Sequence, residues 1–271
     1  MSLAGKVVVV TGSTRGIGQA IAEAAASHGA TVVVSSRTSG AVEQTVVEMS
    51  ARGATVSGFV ANVAQAGEVE ALMAHAIATH GRIDVWVSNA GVSNGYRPLD
   101  EEGNGELHDL ITVNVLGTIY GARSVIPYFR EHGGYLLNLC GRGWKAEATP
   151  FTTAYAASKA AVGSLTRSLA AENRDIADVS INAFVPGMVD TAFYSDMAVS
   201  PRLESSAGNV RLALDAFGMP LAEVGERAAA LIGESPGTTT ARIYAMLTPV
   251  RLARGGVKMA WWGMTGKLKR A

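Results

Sequence analysis

The sequence predicts an α/β fold: a doubly wound, parallel, seven-stranded sheet with helices on both faces, followed by a C-terminal extension. Three observations carry this. Short β-branched runs alternate with longer helical patterns over residues 1–247, the order that builds parallel strands joined by crossover helices. The runs are apolar at almost every position, as in Val7–Val10, which suits strands buried on both faces. A glycine-rich turn, Thr11-Gly-Ser-Thr-Arg-Gly-Ile-Gly18, joins the first run to the first helical stretch.

Taken in order, strands are expected at Val7–Val10, Thr31–Ser35, Thr55–Val60, Val85–Ser88, Tyr135–Leu139, Val179–Val185 and Ile243–Leu247. Between them, Gly16–His28, Ala41–Ala51, Val69–His80 and Phe151–Ala171 are amphipathic or alanine-rich and read as helices. No repeat or linker interrupts the pattern, so residues 1–247 are expected to form one domain of Rossmann type.

Composition narrows the class. Of 271 residues, 48% are hydrophobic and 17% charged, enough apolar surface for a large core and too little charge for disorder. The formal net charge is zero, so no global field draws nucleic acid. Cys140 is the only cysteine, which excludes an internal disulfide. The first strand starts within a few residues without a signal peptide, and no apolar run approaches the length of a bilayer span. A cytoplasmic location and no integral membrane span are expected.

The glycine turn has the context that a nucleotide site needs, after a strand and opening a helix. Its glycines permit a tight turn and close approach of backbone to phosphate. The helix N-terminus adds unpaired N–H groups and a partial positive charge. Gly12, Thr14, Arg15, Gly16, Ile17 and Gly18 are therefore the pyrophosphate candidates. The second strand ends Val34-Ser35-Ser36-Arg37. An acidic residue at that place would accept hydrogen bonds from the ribose hydroxyls of NAD. Here Ser36 stands there, Arg37 follows, and Arg15 lies in the loop. Two guanidinium groups and no carboxylate favour a 2′-phosphate, so the cofactor expected is NADP(H).

Far downstream, Tyr155-Ala-Ala-Ser-Lys159 places a phenol and an amine one helical turn apart on one face. A nearby ammonium favours the phenolate, so Lys159 is expected to lower the Tyr155 pKa. Such a pair can move a proton on or off a carbonyl oxygen.

The glycine loop and this pair, in this order, make the chain resemble the short-chain dehydrogenase/reductase family from about Leu3 to about Leu247. Its further marks are Asn89-Ala90-Gly91 after the fourth strand, Asn114 in a helix, and Pro186-Gly187 with Thr191 after the sixth strand. The spacing Gly12-x-x-x-Gly16-x-Gly18 is also that of the family. The resemblance implies that Tyr155 is the acid/base, that Lys159 tunes it and bonds the nicotinamide ribose, and that Asn114 helps hold a proton-relay water. It implies that Asn89, Ala90 and Gly91 line the cofactor channel and that Pro186, Gly187, Val189 and Thr191 also bind the cofactor. Asn62, followed by Val63, stands where the family has an adenine-contacting aspartate. It also implies a homodimer or homotetramer built through Glu106–His132 and Phe151–Ala171.

One position departs from the pattern. The family places a hydrogen-bonding serine at the end of the fifth strand, where this chain reads Asn138-Leu-Cys-Gly-Arg-Gly143. Alignment from Asn138 puts Gly141 there, and counting back from Tyr155 puts Arg142 there. The thiol of Cys140 is a weak donor. A substrate hydroxyl, a water, a backbone N–H of residues 141–143 or Arg142 are the remaining donors, and Gly141→Ser is expected to raise activity. After Pro186-Gly187, the residues Met188, Val189, Phe193, Tyr194, Met197 and Val199 form an apolar segment, with Trp144 nearby. They either line a pocket for an apolar or aromatic substrate or pack a lid onto the core. The expected function is an NADP(H)-dependent oxidoreductase acting on a small-molecule carbonyl/alcohol pair. A regulatory or scaffold protein that binds NADP with reduced catalysis is the alternative, and reduction of an imine or activated ring a third.

The extension, Thr248–Ala271, holds Arg251, Arg254, Lys258, Lys267, Lys269 and Arg270 and no acidic residue. Val257, Trp261, Met264 and Leu268 fall at helical spacing. This basic amphipathic segment is expected to pack, since adjacent tryptophans are costly to expose; an anionic membrane surface or an acidic partner are its other uses.

Overall fold

The computed structural model describes residues 2–195 and 197–264, without the side chains of Phe193, Ser195, residues 205–210 and Met264. The expected alternation is present. Seven strands form one sheet in the order β3-β2-β1-β4-β5-β6-β7. They are β1 Val7–Thr11, β2 Thr31–Ser36, β3 Val56–Val60, β4 Val85–Ser88, β5 Gly134–Leu139, β6 Val179–Val185 and β7 Ile243–Ala245. Every pairing is parallel, with Val8 opposite both Val32 and Val85. β7 is shorter than the expected Ile243–Leu247.

Alternation along the strands explains why both faces are apolar. Val8 and Val10 join the core under α1 (Gly16–Ser27) and α9 (Leu221–Ile232), with Val32 and Val34. Val7, Val9 and Val33 join the core under α3 (Ala66–His80) and α5 (Gly117–His132). Successive side chains of a strand point to opposite faces, so a strand covered twice must be apolar throughout. α2 (Ser39–Ala51) connects β2 to β3. α6 (Thr153–Glu172) connects β5 to β6; it begins after the expected Phe151 because that residue has φ +66°, outside helical space.

The stretch read as one helix over Glu106–His132 is α4 (Asn104–Ile111), a π turn (Thr112–Leu116) and α5. By length and composition alone Asn104–His132 could cross a membrane. Its Val113, Val125, Ile126 and Phe129 are buried against the sheet. The chain then crosses α7 (Ala192–Ser195) and α8 (Glu204–Phe217) before α9, and ends its described part in α10 (Pro249–Met264).

α10 corrects one expectation. Val257 and Trp261 are 71% and 60% exposed, and Leu268 lies outside the described residues. The side that packs is a third of a turn round, because Gly255 admits the Phe217 ring: a Cβ there would stand 2.1 Å from it. Arg251 pairs with Glu223, Lys258 lies 5.0 Å over the Trp262 ring, and Trp262 is buried.

α1 and α9 meet closely at Gly225, where a Cβ would stand 2.4 Å from the Ala20 carbonyl oxygen. Gly225→Ala is expected to cost about 1–3 kcal/mol through overpacking and to lower the thermal midpoint by several degrees. Gly256→Ala, where nothing lies within 4 Å, is expected to keep or raise it, since alanine favours a helix by up to about 1 kcal/mol. Thermal unfolding followed by circular dichroism checks both.

Candidate active site

The carboxyl ends of β1 and β4, neighbours whose chains continue to opposite sides, open a cleft of about 1420 Å3. Ligands of doubly wound sheets bind at such a switch point. The floor is built by a clamp. Asn89 Nδ2 donates to the carbonyls of Thr11 (2.8 Å) and Gly12 (3.0 Å). The Thr11 hydroxyl accepts from the backbone N–H of Asn89 and Ala90. This closeness dictates the glycines. Gly12 has φ +64° and a Cβ there would lie 2.9 Å from the Ala90 backbone; one at Gly18 would lie 2.3 Å from Asn89 Nδ2. Arg15 caps α1 without a side-chain bond, and no acidic residue stands in the first turn. The first N–H groups of α1 thus remain available to an anion.

Apart from Val199, which bridges to Tyr96, every described residue proposed from the sequence for cofactor or substrate lines this cleft. Asn114 stands just behind it, and the Phe193 side chain lies outside the described residues. At the adenosine end, Ser36, Arg37 and Arg15 line the wall, and neither arginine makes an ion pair among the described residues. Asn62 Oδ1 already accepts from the Ala64 N–H at 3.2 Å, and retains one lone pair for a ligand. On the far wall Thr191 reaches within 3.7 Å of the Cβ position at Gly16.

At the other end, Tyr155 and Lys159 share one face of α6 as the spacing requires. Lys159 is 6% exposed. Its Nζ donates to the Leu139 carbonyl at 3.0 Å and lies 5.7 Å from the Tyr155 ring centroid. Burial pulls the Lys159 amine below its ordinary pKa, opposed by the nearby Cys140. Burial also pushes the Tyr155 phenol well above its ordinary value, helped by Tyr194 and Cys140. The expected net lowering of Tyr155 is therefore not found here, where burial sets the direction of the shift.

Asn114, 1% exposed, sits in the π turn, a local widening that often marks functional segments. Its amide holds Val92 by two bonds, accepting from the N–H (2.8 Å) and donating to the carbonyl (2.9 Å). It also donates to Ser158 Oγ at 3.1 Å, and Ser158 donates to the Tyr155 carbonyl at 2.6 Å. Ser158 was not singled out from the sequence, although it lies inside the Tyr-x-x-x-Lys run. It ties α6 to the loop after β4.

The departure near Gly141 resolves geometrically. A Cβ at Gly141 would stand 2.5 Å from the Tyr155 hydroxyl oxygen, and one at Gly143 2.5 Å from Ala156 Cβ. Residue 141 thus faces the acid/base candidate, and the loop lies flat on α6 because 141 and 143 lack side chains. A serine at 141 would press on Tyr155, so the expected gain from Gly141→Ser is withdrawn. Arg142 is exposed to the cleft, close enough to Tyr194 to hold down that phenol's burial-raised pKa. Cys140 packs with Val162, Ala183 and Val185. Tyr96, Phe217 and Leu252 also line this end; separated in sequence, they gave no motif to read.

Residues 6–199 match the short chain dehydrogenase family. The chain belongs to that family. This short-chain dehydrogenase is 37% identical over 192 residues to a chlorophyll(ide) b reductase of Oryza sativa, covering 68% of this chain and 56% of that protein. It spans about half the length of the plant chlorophyll(ide) b reductases it matches. It is 34% identical over 251 residues to an L-fucose dehydrogenase of Oryctolagus cuniculus, covering 89% of this chain and 84% of that one. An actinorhodin polyketide ketoreductase variant solved with NADPH has TM-score 0.78 at 26% identity, covering 89% of this chain and 95% of that one. The family to which it belongs is one of oxidoreductases.

The Cys140 thiol is pushed up to about 11 by burial. Alkylation uses the thiolate, so at pH 8 the native protein should react with iodoacetamide about 100-fold more slowly than an unperturbed thiol of the same accessibility. Mass spectrometry before and after denaturation checks this.

Proposed function

We propose that this chain is an NADP(H)-dependent reductase or dehydrogenase that interconverts a carbonyl and an alcohol on an apolar or aromatic small molecule, with Tyr155 as acid/base. The observation that carries the proposal is the joining of Tyr155, Lys159 and the glycine loop in one continuous cleft. The residues present fit the cofactor. Gly12 and Gly18 let the turn lie against Asn89 and Ala90, where a Cβ would collide, the first turn of α1 carries no side-chain cap and no acidic residue, and Arg15 and Arg37 line the end where a 2′-phosphate would lie. When bound, the reduced nicotinamide supplies a hydride to the carbonyl carbon. Tyr155 donates its hydroxyl proton to the carbonyl oxygen and takes it back in the reverse direction. Lys159 holds the ribose side of the site and stabilises the phenolate that remains. Asn114 and Ser158 position α6, and Arg142 supplies the donor that the family takes from serine.

Trp144, Tyr96, Met188, Tyr194 and Phe217 around the far end of the cleft support an apolar or aromatic substrate. A cytoplasmic homodimer or homotetramer, through the outer faces of α5 and α6, belongs to the same proposal. Gly141 in the serine's place favours one second reading, an NADP-binding regulatory protein with reduced catalysis.

Two measurements separate these. Calorimetric titration should show NADPH binding tighter than NADH, and Arg37→Ser should weaken NADPH by about ten-fold while leaving NADH nearly unchanged. That is the low end for a charged hydrogen bond, because Arg37 is exposed. On a carbonyl and alcohol panel followed by NADPH absorbance, Tyr155→Phe should lower turnover by about 10²–10⁴-fold with NADPH affinity retained. Equal NADH and NADPH affinity contradicts the cofactor choice, and undiminished turnover in Tyr155→Phe contradicts the acid/base role. Tight NADPH binding without turnover on any substrate favours the regulatory reading.

A further inference from the structure

We infer that the outer face of α10 docks on an anionic lipid bilayer surface. The face is a stripe. Val250, Arg254, Val257 and Trp261 follow one another at i, i+4, i+7 and i+11, the spacing that lines one side of a helix. Val250 is 62% exposed, and Val257 and Trp261 are exposed as described above. Large apolar side chains aligned in this way form a surface that water solvates poorly.

The stripe is held outward by what the packed side, a third of a turn round, does. Gly255 receives the Phe217 ring. Arg251 pairs with Glu223, and Lys258 donates to the Asp215 carbonyl and covers Trp262. Rotation of α10 to bury Val257 and Trp261 would break all three contacts. The helix of 16 residues is about 24 Å long at the α-helical rise, enough to lie in the plane of a headgroup layer.

Charge selects the occupant. No acidic residue follows Glu234 in the sequence, while Arg254 lies in the stripe and Lys267, Lys269 and Arg270 follow it in the sequence. Arg254 makes no ion pair among the described residues. A tryptophan with flanking cations is suited to the boundary between headgroups and acyl chains: the ring is amphipathic, and an arginine can lay its stem along apolar groups with its head among phosphates. A second copy of the chain fits less well. A two-fold contact sets a patch against itself, so both copies of Arg254 would be enclosed in one contact with no carboxylate in residues 248–271 to neutralise either.

The test uses the full chain and vesicle flotation, with no cofactor or substrate, so it stands apart from the proposed activity. Binding to vesicles of phosphatidylcholine with phosphatidylglycerol should exceed binding to pure phosphatidylcholine by about ten-fold or more, and should fall as salt is raised. Val257→Ser with Trp261→Ser should reduce it by about ten-fold or more, and Arg254→Glu by several-fold, with the thermal midpoint unchanged because these side chains are exposed. Absence of binding to the anionic vesicles overturns the inference. So does binding that survives both variants, binding indifferent to lipid charge, or a concentration-dependent dimer that the serine variant dissolves while vesicles are ignored. Capture of an acidic polypeptide such as polyglutamate in preference to the vesicles overturns it too.

Discussion

Lys159 puts an amine into a space closed by the end of β5, the π turn and Gly91, with the Leu139 carbonyl as its partner at 3.0 Å. A charge removed from water costs several kcal/mol unless fixed dipoles replace its hydration, so the surroundings must supply oxygen and leave room. They do both. A Cβ at Gly91 would stand 3.7 Å from the amine and 3.2 Å from Asn114 Oδ1. Asn114 holds the loop that carries Gly91, and through Ser158 it holds α6, which carries Lys159. Gly141 and Gly143 let the strand end lie on the same helix. Each of these features is intelligible as a consequence of placing one amine beside one phenol at the bottom of a cleft.

The same constraint explains the opposed shifts of the two groups. Burial disfavours the charged form of each: the ammonium of Lys159 and the phenolate of Tyr155. Each is the other's nearest remedy, since an ammonium stabilises a phenolate. The pair is poised so that an added positive charge near the phenol shifts Tyr155 toward the anion.

Much of this was legible in the chain because it is local. The alternation of β-branched runs with helical stretches gave the sheet, the glycine spacing gave the loop, and the i, i+4 spacing of Tyr155 and Lys159 gave a shared face. For Gly12 and Gly18 the loop suggested close approach of backbone to phosphate, whereas the atoms that a Cβ would meet there belong to Asn89, Ala90 and the Gly12 carbonyl. What was not legible depends on distant packing. The sign of the Tyr155 shift follows from burial by α7 and the loop after β5, which no local spacing reports. The apolar periodicity of the last segment correctly marked a helix but not its packed side, because a glycine beneath Phe217 decided that. Residue 141 could be read as a missing donor; only the 2.5 Å approach to the Tyr155 oxygen shows that the hydroxyl already occupies that space.

The most direct test is the ionisation of Tyr155 itself. With tyrosine labelled by 13C at Cζ, and Tyr155→Phe used to assign its resonance, the phenol can be titrated with and without NADP⁺. The account predicts a Tyr155 pKa above the ordinary tyrosine value in the free protein, falling when the cofactor with its positively charged nicotinamide ring binds. A Tyr155 that titrates at the same pH in both, or already lies below the ordinary value without cofactor, would contradict it.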